Sequence, residues 1–110
     1  MIDHATFHEL QAQAGAEFVA GLVASFEDDA TRMLAELRQA AGAGAADSFR
    51  RAAHSLKSNA RTFGATRLAE MARALELGGP PAVAERSQAF AALETECQRA
   101  IAALRALARG

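Results

Sequence analysis

Within long segments of this chain, apolar residues recur at spacings of three and four. Glycine and proline mark the ends of these segments. Such a spacing places side chains on one face of an α-helix, because the helix turns once every 3.6 residues. The clearest run consists of Val19, Leu22, Phe26, Ala30, Met33 and Leu37. Further along, Gly78-Gly79-Pro80-Pro81 ends one such segment, since glycine terminates helices and proline cannot continue them. The pattern therefore predicts a series of amphipathic helices.

Glycine and proline divide the chain into five predicted helices. These cover residues 3–14, 16–41, 48–63, 65–77 and 82–108. Asp3 and Asp47 are the predicted N-caps of the first and third helices, because aspartate accepts hydrogen bonds from the free N–H groups of a first turn. Short connections between long amphipathic helices favour antiparallel neighbours. We therefore predict an all-α fold, an antiparallel up-down four-helix bundle with a short extra N-terminal helix, in a single domain over residues 1–110.

The composition agrees with helices and argues against several classes of protein. Alanine, which has the highest helix propensity, supplies 30 of the 110 residues. No uncharged apolar run approaches the roughly 18 residues of a membrane span, and the chain begins with no secretory signal pattern. The single cysteine, Cys97, cannot form an internal disulfide, which fits a reducing cytoplasm. The net charge of −1 gives no reason to expect nucleic acid or membrane lipid as a partner. We expect a cytoplasmic monomer.

Positive charge is concentrated between residues 48 and 73, which include six basic residues and a single acid. In the predicted third helix, the apolar stripe consists of Phe49, Ala52, Ala53, Leu56, Ala60 and Phe63. Away from that stripe, Arg50, His54, Lys57 and Arg61 follow one another at i, i+4, i+7 and i+11 on one face. The spacing predicts an exposed histidine with cations one turn away on both sides.

An exposed histidine on such a face is suited to accepting a phosphoryl group. The neutral imidazole is a nucleophile near pH 7, and neighbouring cations favour the neutral ring. After phosphorylation, the same cations stabilise the negative oxygens. A solvated histidine on an ordinary basic face is the alternative that the residues alone leave open.

The stretch from Ala52 to Ala65 resembles the signature of the histidine-containing phosphotransfer (Hpt) domain. That signature is a histidine, any residue, leucine, lysine, a small residue, and a glycine ten residues after the histidine. The matching residues here are His54, Leu56, Lys57, Ser58 and Gly64, and a helix ending in Leu75-Glu76 follows. Upstream, the family spacing is matched by Phe7, Leu10, Gly15, Phe18, Leu22 and Phe26. The resemblance covers nearly the whole chain and implies a four-helix bundle with a short extra helix, in agreement with the periodicity.

The resemblance also implies roles for individual residues. His54 matches the phosphoryl-accepting histidine, and Lys57 matches the lysine that contacts the phosphoryl group. Ser58 stands where the family often has glycine, and its hydroxyl is able to hydrogen-bond the phosphate. Gly64 matches the glycine that ends the helix where bulk is not tolerated, and we expect a positive φ there.

The function that the resemblance implies is that of a free-standing phosphocarrier in a multistep phosphorelay. A phospho-aspartyl receiver domain would dock over His54, the imidazole would take the phosphoryl group, and a second receiver would then accept it. The expected partners are response-regulator receiver domains or a hybrid sensor histidine kinase. Because the chain contains no nucleotide-binding motif, we expect no kinase activity and no cofactor, with Mg²⁺ held by the receiver. Arg50 and Arg61 are expected to support docking onto the acidic active-site face that receivers present.

Two other hypotheses stay open at this point. A four-helix docking or adaptor module would bind a signalling partner through the same face without phosphate. His4 and His8 have the i, i+4 spacing that can bind a metal, but no cysteine or third histidine nearby completes a site. We therefore expect no metal.

Overall fold

The computed structural model describes all 110 residues and contains five α-helices. They are α1 (His4–Ala14), α2 (Ala16–Ala43), α3 (Ala46–Thr62), α4 (Thr66–Gly78) and α5 (Val83–Arg109). The only β-type pairing is an isolated antiparallel bridge between Ile2 and Ala65. The predicted all-α class and the five helices are confirmed, with boundaries that differ from the prediction by two residues at most.

Helices α2 to α5 form a closed ring in which each packs against the next and α5 returns to α2. Two ion pairs show how α2 runs relative to α5. Arg38 pairs with Glu94 at 2.7 Å, and Glu27 pairs with Arg105. Residue numbers rise along one helix as they fall along the other, so the two helices are antiparallel. Helix α1 packs on α2 and α3. The molecule is the predicted up-down bundle with an extra N-terminal helix.

The core is one cluster of 26 buried residues at the centre of this ring. Every member of the predicted α3 stripe is buried, and in α2 only Leu22 of the predicted stripe is partly exposed. Phe26 of α2 and Phe63 after α3 bring their rings to a centroid distance of 5.1 Å. Alanines occupy many of the remaining buried positions, which lets the helices approach closely.

The helix starts follow the prediction at Asp3 and depart from it at Asp47. Asp3 is the N-cap of α1, where its Oδ1 accepts a hydrogen bond from the N–H of Ala5 at 3.2 Å. The prediction for Asp47 was wrong, because α3 already begins at Ala46 and Asp47 lies within its first turn. Gly44 ends α2 in a left-handed conformation with φ of 66°, so the chain reverses early. A carboxylate in a first turn is still favourable, since it faces the positive end of the helix dipole.

Gly64 lies in the turn between α3 and α4 and joins that turn to the N-terminal segment. Its φ is +78°, the region that favours glycine. Its carbonyl accepts a hydrogen bond from the N–H of Asp3 at 2.7 Å, and a Cβ at this position would lie 2.8 Å from the carbonyl oxygen of Asp3. Gly64 follows His54 by ten residues, about 15 Å along the axis of α3. A side chain at this position would therefore collide with the N-terminal segment that packs at this end of the bundle.

We expect Gly64→Val to destabilise the fold by more than about 1 kcal/mol, because the side chain is strained by the positive φ and collides with the backbone of Asp3. The measurement is the free energy of unfolding by urea. Gly42→Val is the matched control, since Gly42 is helical and nothing lies within 4 Å of its added Cβ. Equal destabilisation by the two variants would show that the close approach at Gly64 is unimportant.

Candidate functional site

The basic face of α3 lies over the seam between α3 and α4. The His54 side chain is 58% exposed there, as the spacing predicts. Lys57 is deeper, with a side chain only 14% exposed. The difference follows from helical geometry, because Lys57 lies about 60° closer than His54 to the buried stripe of α3. The histidine is therefore open to a partner, whereas the lysine is held between the two helices.

A carboxylate from α4 joins these two side chains. Glu76 Oε2 lies 2.7 Å from His54 Nδ1, and Glu76 Oε1 lies 2.5 Å from Lys57 Nζ. The Glu76 side chain is 17% exposed, so the contact is partly shielded from water. In the sequence, Glu76 is visible only as part of the Leu75-Glu76 pair near the end of the fourth predicted helix. Its contact with His54 spans 22 residues and depends on how α4 is rotated against α3.

The Glu76 contact determines which nitrogen of the neutral His54 ring carries the proton. An ionised carboxylate can only accept hydrogen bonds, so Nδ1 must be the donor. Nε2 then holds the free lone pair. The ring is thus held with its nucleophilic nitrogen available, in the same way that a carboxylate orients a catalytic or metal-binding histidine.

The Glu76 carboxylate is ionised across the neutral range. The ammonium of Lys57, which donates a hydrogen bond to it, lowers the pKa of Glu76 below its ordinary value of 4.5, and the hydrogen bond from His54 acts in the same direction. Because the pKa is lowered in the folded chain, ionised Glu76 stabilises the fold above pH 4.5. That contribution is lost as the pH falls through the lowered value.

The other predicted site residues surround this group in different ways. Ser58 is exposed one turn after His54, and its carbonyl accepts a hydrogen bond from the Thr62 hydroxyl at 3.1 Å. Arg50 is exposed and pairs with Asp47 at 3.3 Å. Arg61 is exposed on the same face and forms no ion pair. The structure therefore brings His54 and Lys57 together through Glu76, leaves Ser58, Arg50 and Arg61 around them, and sets Gly64 apart.

The remaining histidines and the cysteine lie elsewhere. His4 and His8 are neighbours on α1 with ring centroids 6.1 Å apart, and they belong to no group of three or more His, Cys, Asp or Glu side chains that could hold a metal ion. Cys97 is buried in α5, and burial raises the pKa of its thiol to about 12. It is therefore an unreactive part of the core.

None of the five helices combines the length and the apolar character that crossing a membrane requires.

Comparison with known families gives one result. A family model described as the Hpt domain matches residues 21–107. The matched segment contains most of α2, the whole of α3 and α4, and nearly all of α5, and so includes His54, Lys57 and Glu76. No curated protein and no solved structure matches the chain.

We expect the carboxyl of Glu76 to titrate below pH 4.5, and Lys57→Met to raise its midpoint towards that value, because the lysine is the main cause of the lowered pKa. The measurement is a ¹³C NMR titration of the Glu76 side chain. Arg50→Met is the matched control, since it removes an exposed cation of α3 that is paired with Asp47 instead. A wild-type midpoint at or above 4.5 would contradict the ion pair.

Proposed function

The chain belongs to the Hpt domain family, and on that premise we propose that His54 accepts a phosphoryl group from the aspartate of one receiver domain and passes it to another. Hpt domains are phosphotransfer modules of phosphorelays. The observation that carries the proposal is the carboxylate of Glu76 on Nδ1 of an exposed histidine. This arrangement leaves Nε2 as a nucleophile that an approaching active site can reach.

The transfer step balances without moving a proton. The Nε2 lone pair of His54 attacks phosphorus opposite the aspartyl oxygen, the N–P bond forms, and the P–O bond to the receiver breaks. The aspartate leaves as a carboxylate, and the ring keeps its proton on Nδ1. The ring therefore gains positive charge, which the carboxylate of Glu76 stabilises at 2.7 Å. The reverse step delivers the group to the aspartate of the second receiver.

In this scheme, the ammonium of Lys57 donates hydrogen bonds to two acceptors. In the resting chain its ammonium donates to Glu76 Oε1. Once the ring is phosphorylated, the phosphoryl oxygens one helical turn away become a second acceptor, and a lysine has three N–H donors to share. Ser58 supplies a hydroxyl on the same exposed face. Lys57 thus stabilises the phosphorylated state while keeping Glu76 in place.

The partners and the limits of the activity follow from the same scheme. Hpt domains interact with receiver domains and histidine kinases. We propose that this chain is a monomer forming a single Hpt domain over residues 1–110, that it is a phosphocarrier without kinase activity of its own, and that it holds no cofactor. The Mg²⁺ that phosphoryl transfer uses is held by the receiver.

His54→Gln is expected to abolish phosphoryl acceptance and leave the fold intact, because the side chain is exposed and surface changes cost within about 0.5 kcal/mol. The measurement follows acid-labile, base-stable phosphate on the chain after incubation with a phosphorylated receiver and Mg²⁺. The double variant His4→Gln, His8→Gln is the matched control and should accept phosphate normally. Full acceptance by the His54 variant would refute the assignment, and binding without acceptance by the wild type would favour the adaptor hypothesis.

Lys57→Ala is expected to slow phosphoryl transfer and shorten the lifetime of phospho-His54 by about tenfold each, because a hydrogen bond to a charged group contributes about 1.5–3 kcal/mol. Rapid-quench transfer kinetics and the decay of purified phosphorylated chain measure the two effects. Arg51→Ala is the control, since Arg51 is exposed on the same helix but lines its other flank, against α2. Equal losses in both variants would show that the general positive charge matters and the position of Lys57 does not.

A further inference from the structure

A groove runs along the contact between α4 and α5. Its larger part is a cavity of about 530 Å³ with no charged residue in its lining. The side walls come from the two helices and are apolar: Met71, Ala74 and Leu75 of α4, and Ala89, Ala92 and Leu93 of α5. Cavities of this size, lined mainly by apolar side chains, are typical of sites that bind small molecules.

The connection between α4 and α5 forms one end of this cavity. All residues from Gly78 to Ala82 line it. Arg86 of α5 holds the connection in place, because its Nε and one terminal nitrogen donate hydrogen bonds to the carbonyl of Pro81 at 3.3 and 3.1 Å. The two prolines of the connection also restrict its backbone. A closed, preformed end suits a molecule that terminates there, whereas a docked helix would need a groove open at both ends.

The opposite end of the groove is charged. A second cavity, of about 340 Å³, shares Met71 and Ala92 with the first, so the two are adjacent. Its lining includes Arg67 near the start of α4, and Glu96 and Arg99 of α5. The groove is therefore apolar towards the connection between the helices and polar towards the start of α4.

The charges at the polar end leave an excess of cations. Glu96, the single carboxylate in that lining, is buried, with a side chain only 4% exposed. Its Oε1 lies 3.2 Å from Nε of Arg67 and 4.0 Å from a terminal nitrogen of Arg99, and its Oε2 lies 3.6 Å from the amino nitrogen of Met1. Both guanidiniums are exposed, and Arg67 approaches Glu96 through Nε, which leaves its terminal nitrogens free of Glu96. Paired guanidiniums of this kind are suited to binding a second carboxylate.

We propose that the groove between α4 and α5 binds a small amphipathic carboxylate. The apolar chain lies against Met71, Leu75 and Leu93, and the carboxylate lies between Arg67 and Arg99. Helix α4 rises about 12 Å from Arg67 to Leu75, which matches an extended aliphatic acid of about ten carbons. Burial of the chain supplies affinity, and the guanidiniums select an anion and fix its direction in the groove.

The groove is separate from the candidate site. Glu76 contacts α3, whereas its neighbour Leu75 lines the groove. His54, Lys57 and Glu76 line neither cavity. Binding therefore does not depend on the proposed function, and His54→Gln should bind the carboxylate as tightly as the wild type.

The first test uses decanoate, below its micelle concentration, in an NMR titration of the ¹⁵N-labelled chain. We expect saturable binding with a Kd of about 0.1 mM, and nuclear Overhauser effects from the terminal methyl of decanoate to the methyls of Leu75 and Leu93. Decyltrimethylammonium has a chain of the same length with a cationic head, and should bind at least about tenfold more weakly. Equal affinity for the two ions, or contacts that map outside the groove, would overturn the proposal.

The second test blocks the groove. Ala92→Leu places a larger side chain on the wall that both cavities share, and should raise the Kd for decanoate by more than about tenfold, with little change in helix propensity. Ala102→Leu is the matched control, since Ala102 is exposed on α5 and lines neither cavity, and should change the Kd within about twofold.

The third test removes one cation. Arg99→Gln should raise the Kd about fivefold at low salt and less at high salt, because the attraction is electrostatic. Glu96 keeps Arg67 as its partner in this variant, so the fold is retained even if Ala92→Leu is unstable. Arg109→Gln, which removes an exposed cation from the end of α5, is the control and should leave the Kd within about twofold. An unchanged Kd in Arg99→Gln, or an equal change in both arginine variants, would overturn the proposed carboxylate site.

Discussion

The close packing of α3 against α4 is the constraint on which the candidate site depends. Both helices bury alanines, among them Ala53 and Ala60 of α3 and Ala69 and Ala72 of α4. Side chains this small let the helix axes approach, so that a glutamate on α4 reaches both a histidine and a lysine on α3. Larger side chains at those positions would move the carboxylate away from the ring. The geometry of the candidate site therefore depends on core residues that lie outside it.

At the seam between α3 and α4, the charged side chains stabilise one another and orient the ring of His54. A partly buried carboxylate is costly unless it is paired, and Glu76 is paired on both oxygens. Lys57 keeps Glu76 ionised, and ionised Glu76 in turn fixes the proton of the imidazole. His54 is exposed, but its hydrogen bond to Glu76 fixes the tautomer of the neutral ring. The exposed imidazole is thus oriented by a carboxylate that is partly shielded from water.

Periodicity in the sequence was sufficient to predict the bundle, because each helix buries one face and the loops are short. The stripe of α3 and the exposure of His54 follow from the same arithmetic. The start of α3 does not follow from that arithmetic, since Gly44 reverses the chain before Asp47 can act as an N-cap. The role of Glu76 could not be derived from spacing either. Its contact depends on the rotation of one helix against another, which the pattern within a single helix does not contain.

The hydrogen bond from Nδ1 to Glu76 also bears on the energetics of a relay as a whole. A carrier works between two aspartyl phosphates only if its own group-transfer potential lies close to theirs. In the proposed function, the carboxylate would stabilise the positively charged ring of phosphorylated His54 more than the neutral ring, and so would lower that potential. Each 1.4 kcal/mol of such stabilisation moves the phosphoryl equilibrium about tenfold towards the carrier. In the proposed relay, one glutamate on a neighbouring helix would thereby adjust how far the equilibrium lies towards the phosphorylated histidine.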